Sequence, residues 1–443
     1  MIPIRHFIRR LTPLQTLLLG FLLLAAAGGF LLMLPISTKN GRFQSYLDAL
    51  FMASSAVSTT GLGVVPVGEQ YNLFGQLVML ALIQIGGLGY MTLIAFITHL
   101  LGQRLSLHRG ELMASSLVVP SRGEMRIFIQ RVVQFTVLFE TAGAIALTLY
   151  WWRDFGLVRA FYMGWFHAIS TFCTAGFSLF SDGFVAYRDD WLFNSIINSL
   201  SVVGAVGFFV LHEGSRYMRY LTHHHRPPRL STHTRLAVLM TAAMILLGTA
   251  VLMLVESPTA AAVQPALFQS LTAATTTGFN TVDISHLSDT SLTVLMVLMF
   301  IGAPAGGTGG GIKATTFGVL LALLWAMLRG QEDVNLFKRR LNQSTIMQSV
   351  SISITAVLWL TLSVIILTAT ESASFLSILF EAVSALGTVG LSMGITADLS
   401  AWGKVVIISS MMIGRIGPLG VAYALVRKGR LAYRYPQDDV FVG

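Results

Sequence analysis

An all-α polytopic membrane protein, folded from four internal repeats with eight transmembrane spans, is the fold class this sequence predicts. Three observations predict it: an oily composition, apolar runs of membrane-crossing length, and one short motif that occurs four times. The 443 residues are 54% hydrophobic and only 11% charged, with a mean hydropathy of +0.72. Soluble chains carry charge on about a quarter of their residues. A span needs about 20 apolar residues to cross roughly 30 Å of hydrocarbon. Such runs fall near 14–36, 73–100, 132–152, 192–212, 236–255, 291–328, 346–370 and 403–426. Helices satisfy their own backbone in lipid, so apolar runs of this length are read as helices. The first run follows an Arg-containing start, extends for about 23 residues and lacks a small-residue cleavage site, so it is expected to remain as a helix. Cys173 is the single cysteine, which excludes an internal disulfide framework.

Charge sets an orientation. With eight spans, 21 of the 29 Lys and Arg fall on one side, from Arg5 to Arg434. The positive-inside rule makes that side, with both termini, cytoplasmic. The other side has six bases (Lys39, Arg42, Arg153, Arg159, Arg188 and Lys404) against twelve acids. An acidic outer face concentrates cations. Lys313 and Arg415 fall inside spans.

The motif reads FMASSAVSTTGL at 51–62, FHAISTFCTAGF at 166–177, FQSLTAATTTGF at 268–279 and FEAVSALGTVGL at 380–391. All four copies fit F-x3-[ST]-x3-T-x-G-[FL], with the Gly residues 115, 102 and 112 positions apart. Each lies between two spans on the outer side. At ~1.5 Å per residue, the Phe-to-Thr helix with its lead-in reaches about 18 Å, too short to cross. It is expected to be a re-entrant half-helix followed by a turn, tolerated at membrane depth only inside protein or beside water. Thr-x-Gly is expected to be a short extended segment with carbonyls pointing the same way. Four such segments on one axis would replace the water shell of a monovalent cation. The predicted filter comprises Ser58, Thr59, Thr60 and Gly61; Cys173, Thr174, Ala175 and Gly176; Thr275, Thr276, Thr277 and Gly278; and Gly387, Thr388, Val389 and Gly390. Backbone carbonyls of Thr59, Thr174, Thr276 and Thr388 are the expected K+ ligands.

A second motif, [IV]-G-x-x-[GA], follows each copy: Ile85-Gly86 to Gly89, Val203-Gly204 to Gly207, Ile301-Gly302 to Ala305, and Ile413-Gly414 to Gly417. The unit is therefore helix, pore half-helix, filter, helix, pseudo-fourfold around one pore. The repeats span 1–105, 106–230, 231–340 and 341–430, leaving a tail at 431–443.

These residues resemble the Ktr/Trk/HKT superfamily of potassium transporters over nearly the whole chain, most of all its KtrB-type membrane subunits. LTPLQTLLLGF, DALFMASSAVSTTGL, FGQLVMLALIQIGGLGYMTL and GRIGPLG carry the likeness. The resemblance implies potassium uptake across a bacterial plasma membrane, often sodium-stimulated, by a homodimer with one pore per subunit. It also implies a cytosolic KtrA-type ring of nucleotide-binding regulatory subunits. No cofactor is expected in the chain beyond K+ in the filter, with Na+ left open. Gly61 favours potassium, because Ser there accompanies sodium selectivity in the superfamily. Cys173-Thr174 departs from the Asn-Asn expected in the second filter; Cys173 is expected to point away from the ion.

Two features break the symmetry. GAPAGGTGGGIK at 302–313 interrupts the seventh run, and the other three second helices are expected to lack such a break. Pro304 removes a helical donor, and Gly residues cost about 1 kcal/mol each in a helix. The pattern GxxxxGK[ST] fails because Ile312 separates Gly311 from Lys313. A flexible loop under the filter is expected, and the resemblance implies that it gates. Its gate residues are Gly302, Pro304, Gly306, Gly307, Thr308, Gly309, Gly310, Gly311 and Lys313, with Arg415. Arg415 aligns with Gly87, Ala205 and Ala303. A mid-membrane Arg needs acceptors or water. It is expected to project toward the pore below the filter, restraining the loop through carbonyls or setting an electrostatic barrier, with a structural pair to an acid as the alternative. Glu140, inside the third run, is either that acid or part of a filter-supporting network. The His223–His225 run reads as a solvated basic loop, with metal binding the alternative. Basic loops at 101–126, 214–235 and 329–345 are expected to meet lipid head groups or the regulatory partner, and the tail YPQDDVFVG a subunit interface. HExxH, GxSxG and an intramembrane Asp pair are all missing, which argues against a membrane enzyme. The +9 charge lies in loops and does not point to nucleic acid.

Overall fold

A computed structural model describes residues 13–89, 122–223, 229–257 and 259–425. Expectations for the basic N-terminus, residues 90–121, His224, His225 and the tail lie outside these residues. The side chain of His223 does too.

The described chain runs α1 (Pro13–Met33), α2 (Tyr46–Val57), α3 (Leu73–Leu88), α4 (Arg122–Phe155), α5 (Leu157–Phe172), α6 (Trp191–Ala205), α7 (Phe208–His223) and α8 (Thr232–Glu256). It continues α9 (Val263–Ala274), α10 (Asp289–Ile301), α11 (Ala314–Leu328), α12 (Gln343–Thr370), α13 (Phe375–Gly387), α14 (Ala401–Ile416) and α15 (Pro418–Leu425). A hairpin, β1 (Asn335–Leu336) with antiparallel β2 (Arg339–Arg340), lies between α11 and α12.

Among the described residues, four helices are long and apolar enough to cross a membrane: Gln15–Met33, Phe128–Phe155, Thr232–Glu256 and Gln343–Thr370. Their outer faces carry bare aliphatic side chains. Leu23, Leu247, Leu254 and Leu358 are 60%, 68%, 71% and 65% exposed, which suits lipid rather than water. The short helices α2, α5, α9 and α13 are buried toward their C-terminal ends, from Phe51, Phe166, Phe268 and Phe380 onward, and these four are at most 1% exposed. The motif's Phe thus anchors each short helix in the core, with α2 packed on α1, α5 on α4, α9 on α8 and α13 on α12.

The helix after each turn is tied back to the one before it. Asn72 caps α3 and donates from Nδ2 to Ile36 O at 2.7 Å. Asp190 caps α6 and accepts from Tyr150 of α4 at 2.6 Å. Ser288 caps α10 and gives its N–H and hydroxyl to Glu256 at 2.9 and 2.8 Å. Ser400 caps α14 and gives both to Glu371 at 2.9 and 2.5 Å. The first and fourth units also meet through Lys404 and Asp48, 2.7 Å apart.

At Glu371 burial pushes the carboxyl upward, but bonds from Ser400, Thr370 and Gly403 outweigh it and hold the group below its usual range. A depressed carboxyl stabilises the fold above its unfolded value and loses that contribution as pH falls through the folded one. Glu371→Gln is therefore expected to lower Tm at pH 7 by on the order of 1 °C, with the deficit closing in acid. Thermal melts across that pH range check it.

One expectation is corrected. The break at 302–313 is not confined to the third repeat. α6 and α7 meet at 104°, and α14 gives way to α15 at Gly417. Gly89, Gly207, Gly302 and Gly417 have φ of 74°, 104°, 71° and 95°. Glycine in this region ends a helix, since a Cβ is unfavourable there. The motif's last glycine thus stops the helix, while its first (Gly86, Gly204, Gly414) packs against a carbonyl of the preceding short helix. The third repeat differs in the length of its insertion.

Candidate functional site

The four motif copies share one backbone form. Thr59, Thr174, Thr276 and Thr388 have φ of 53°, 51°, 55° and 48°. At each, two bonds close the end of the short helix. Thr59 N bonds Ala56 O at 3.1 Å and Thr60 N bonds Ser55 O at 2.8 Å. The equivalent pairs at Thr174/Ala175, Thr276/Thr277 and Thr388/Val389 are 3.0/2.8, 3.2/2.9 and 3.1/2.9 Å. This is the Schellman helix ending. The Thr-x-Gly segment is therefore not extended at Thr, as its sequence suggested. The Thr takes the left-handed place that glycine usually fills, because the bonds on both sides fix it. The motif's [ST] supports the next step. Ser55 and Ser384 accept from the N–H of Gly61 and Gly390, both at 3.1 Å. Ser170 instead donates to Phe177 O at 2.8 Å.

The turns join one another in sequence order. A Cβ built on Gly61 would lie under 3.0 Å from Ala175 O. The same holds for Gly176 with Thr277 O, Gly278 with Val389 O, and Gly390 with Thr60 O. The contacts run first to second, second to third, third to fourth, and fourth back to first. Each glycine is needed because the neighbouring turn's carbonyl occupies the place of a side chain.

Other expected site residues support the turns from behind. Ser58 bonds Thr60 at 2.6 Å, and Thr275 bonds Thr277 at 2.8 Å, hydroxyl to hydroxyl. Cys173/Ala175 and Gly387/Val389 have no such pair to make. Cys173 points away from the turn, with Sγ 3.7 Å from Gln84 Oε1 and 3.8 Å from Glu140 Oε1. Gln84 Nε2 also donates to Glu140 Oε2 at 3.3 Å. Glu140 thus belongs to a network behind the second turn.

The loop between α10 and α11 touches all four turn threonines. Thr308 O accepts from Thr59 Oγ1 at 3.4 Å, and Thr308 Oγ1 pairs with Thr174 Oγ1 at 3.1 Å. Gly310 N donates to Thr276 Oγ1 at 3.1 Å. The Thr388 hydroxyl fills the place a Cβ on Gly310 would take. Buried loop backbone must find partners. Broken α6 supplies them: Thr308 N and Oγ1 both reach Gly204 O, at 3.2 and 3.1 Å. Lys313 Nζ donates to Gly309 O at 2.5 Å. Gly302, Gly306 and Gly311 have φ of 71°, 90° and 79°, so the loop's course depends on them.

Arg415 reaches the same point. Its guanidinium donates to Thr59 Oγ1 at 2.9 Å, to Gly87 O at 3.1 Å, and to Thr308 O and Gly86 O. It pairs with no carboxylate among the described residues. Of the arrangements expected for it, the structure has the carbonyl contacts rather than an acid partner.

The sequence reading passed over the residue after the motif's Phe. Met52, His167, Gln269 and Glu381 all occupy it, at 0%, 0%, 2% and 0% exposure. Polar residues at three of four such positions in buried helices were the available signal.

Apolar helices around four joined, carbonyl-bearing turns define an integral membrane protein of the helical transport class. The chain belongs to the TrkH cation transport protein family, whose model matches residues 12–429. It is 38% identical over 437 residues to the Ktr system potassium uptake protein B of Vibrio alginolyticus, covering 97% of this chain and 94% of that protein. It is 37% identical to the protein of the same description from Bacillus subtilis, covering 98% and 97%. The potassium/sodium uptake protein NtpJ of Enterococcus hirae is 32% identical, covering 98% of each. The crystal structure of the potassium transporter TrkH from Vibrio parahaemolyticus matches in fold, with TM-score 0.71, 22% identity, and coverage of 92% and 83%.

Proposed function

We propose that this chain carries K+ into a bacterial cell through one pseudo-fourfold pore, whose selectivity filter is the four joined turns. Eight spans, in the four repeats bounded above, surround it, with both termini cytoplasmic. The observation that carries this reading is the closed cycle in which each turn glycine faces the next turn's carbonyl. A carbonyl-lined passage replaces a monovalent ion's hydration shell. Potassium is favoured by the names of the relatives and by Gly61 in the first turn. NtpJ, named for both ions, supports a part for sodium, here as a stimulating ion.

In the same reading residues 302–313 and Arg415 gate the pore. Support comes from the loop's contact with every turn threonine and from the guanidinium bridging loop, turn and α3. A homodimer with a cytosolic KtrA-type nucleotide-binding ring as regulator follows from the kinship with Ktr systems.

Proteoliposomes holding the chain alone are expected to take up Rb+ saturably, with K+ competing and little Na+ flux. Absence of flux that persists after adding the regulatory subunit refutes the reading.

A further inference from the structure

We infer that Glu381 is a specificity-determining positioning residue of the fourth filter turn, an assignment that rests on the pore reading above. The residue after the motif's Phe touches the segment leaving its own turn in every repeat. Met52 lies with its methyl carbon 3.5 Å from where a Cβ on Gly63 would be. His167 Nε2 meets Ser178 Oγ and Leu179 N, both at 3.2 Å. Gln269 reaches Thr281 through one long bond of 3.4 Å. Glu381 makes the firmest clamp: Oε2 accepts from Ser392 at 2.7 Å and Oε1 from Thr396 at 2.5 Å. Ser392 in turn accepts from Gly394 N at 3.0 Å.

Position in the ring makes the fourth clamp the consequential one. Of the four turn-to-turn contacts, the two closest, Gly278 to Val389 O and Gly390 to Thr60 O, both involve the fourth turn. Ser392 is two residues beyond Gly390. The carboxylate therefore holds the exit of the turn that sets the spacing to both neighbours. No Lys, Arg or His forms an ion pair with Glu381 among the described residues, so hydroxyls alone fix its orientation. A clamp acting on geometry should depend on hydrogen bonding rather than charge, which gives the test its form.

Rb+ and Na+ uptake would be measured in proteoliposomes at matched amounts of folded protein, for wild type and variants. Glu381→Leu is expected to lower the Rb+/Na+ ratio about tenfold, the effect of losing two short bonds. Glu381→Gln can accept from one hydroxyl and donate to the other, and should stay within roughly twofold of wild type. Thr396→Val removes one donor without changing shape; it should fall between the two, and add nothing to Glu381→Leu. It also keeps the inference testable if Glu381→Leu does not fold. A wild-type ratio in folded Glu381→Leu or Thr396→Val overturns the assignment, as does Glu381→Gln as impaired as Glu381→Leu. Lack of discrimination in the wild type itself would instead remove the pore reading.

Discussion

Gly278→Ala is expected to cut Rb+ uptake about 100-fold or to abolish its preference over Na+ by a similar factor. The residue sits at φ 83°, where a side chain is strained. Its Cβ would take the position of Val389 O, one of the carbonyls that line the proposed passage. Backbone strain costs about 1–3 kcal/mol, and the displaced carbonyl adds to it. The other three glycines give a graded series. Gly390 and Gly176 are next most tightly faced, and Gly61 is least so, a Cβ there falling 2.6 Å from Ala175 O. Alanine at these positions should lose discrimination in that order, and Gly61→Ser should admit Na+ while still conducting. Uptake of both ions by the four alanine variants checks this. A normally selective, well-inserted Gly278→Ala protein would show that the ring is not the filter.

Arg415→Gln is expected to do the opposite and raise flux. One guanidinium serves two acceptors on α3 (Gly86 O and Gly87 O), one on the first turn and one on the loop. A charge-assisted bond contributes about 1.5–3 kcal/mol. Losing the loop contact alone should shift a closed-to-open equilibrium about 10- to 100-fold. Arg415→Lys should resemble Arg415→Gln, because an ammonium lacks the planar fork that spans these acceptors. Removing residues 306–310 should raise flux further. The measurement is the initial rate of Rb+ efflux from loaded vesicles. Rates equal to wild type in both folded variants would refute a gating role.

Much of this was legible in the residues. Four copies of one motif in an oily chain already required four similar turns, and Pro304 with its glycines required a break before α11. Arg415 stood out because its repeat partners are Gly87, Ala205 and Ala303. Three things were not legible, each for a physical reason. Thr seldom occupies the left-handed end of a helix, so Thr59 and its counterparts read as extended until their flanking bonds are seen. In the second motif the first glycine packs (Gly204, Gly414) and the last ends the helix (Gly207, Gly417), and sequence does not tell the two roles apart. The contacts between turns, and those of Glu381, join residues whose proximity depends on the assembled bundle.

The loop's ends belong to α10 and α11, but its middle hangs from the second repeat. Thr308 is held by Gly204 O at the end of α6, and Gly306 O accepts from Phe208 N at the start of α7. The α7 helix is thus a lever whose short arm is the loop itself. A push that tilts the far end of α7 is expected to reach residues 306–308 directly, and through Thr308 the first and second turns and the end of α5. For the gate proposed above, force would enter through one helix, and the bonds of Thr308 to Thr59 and Thr174 would carry it to the turns.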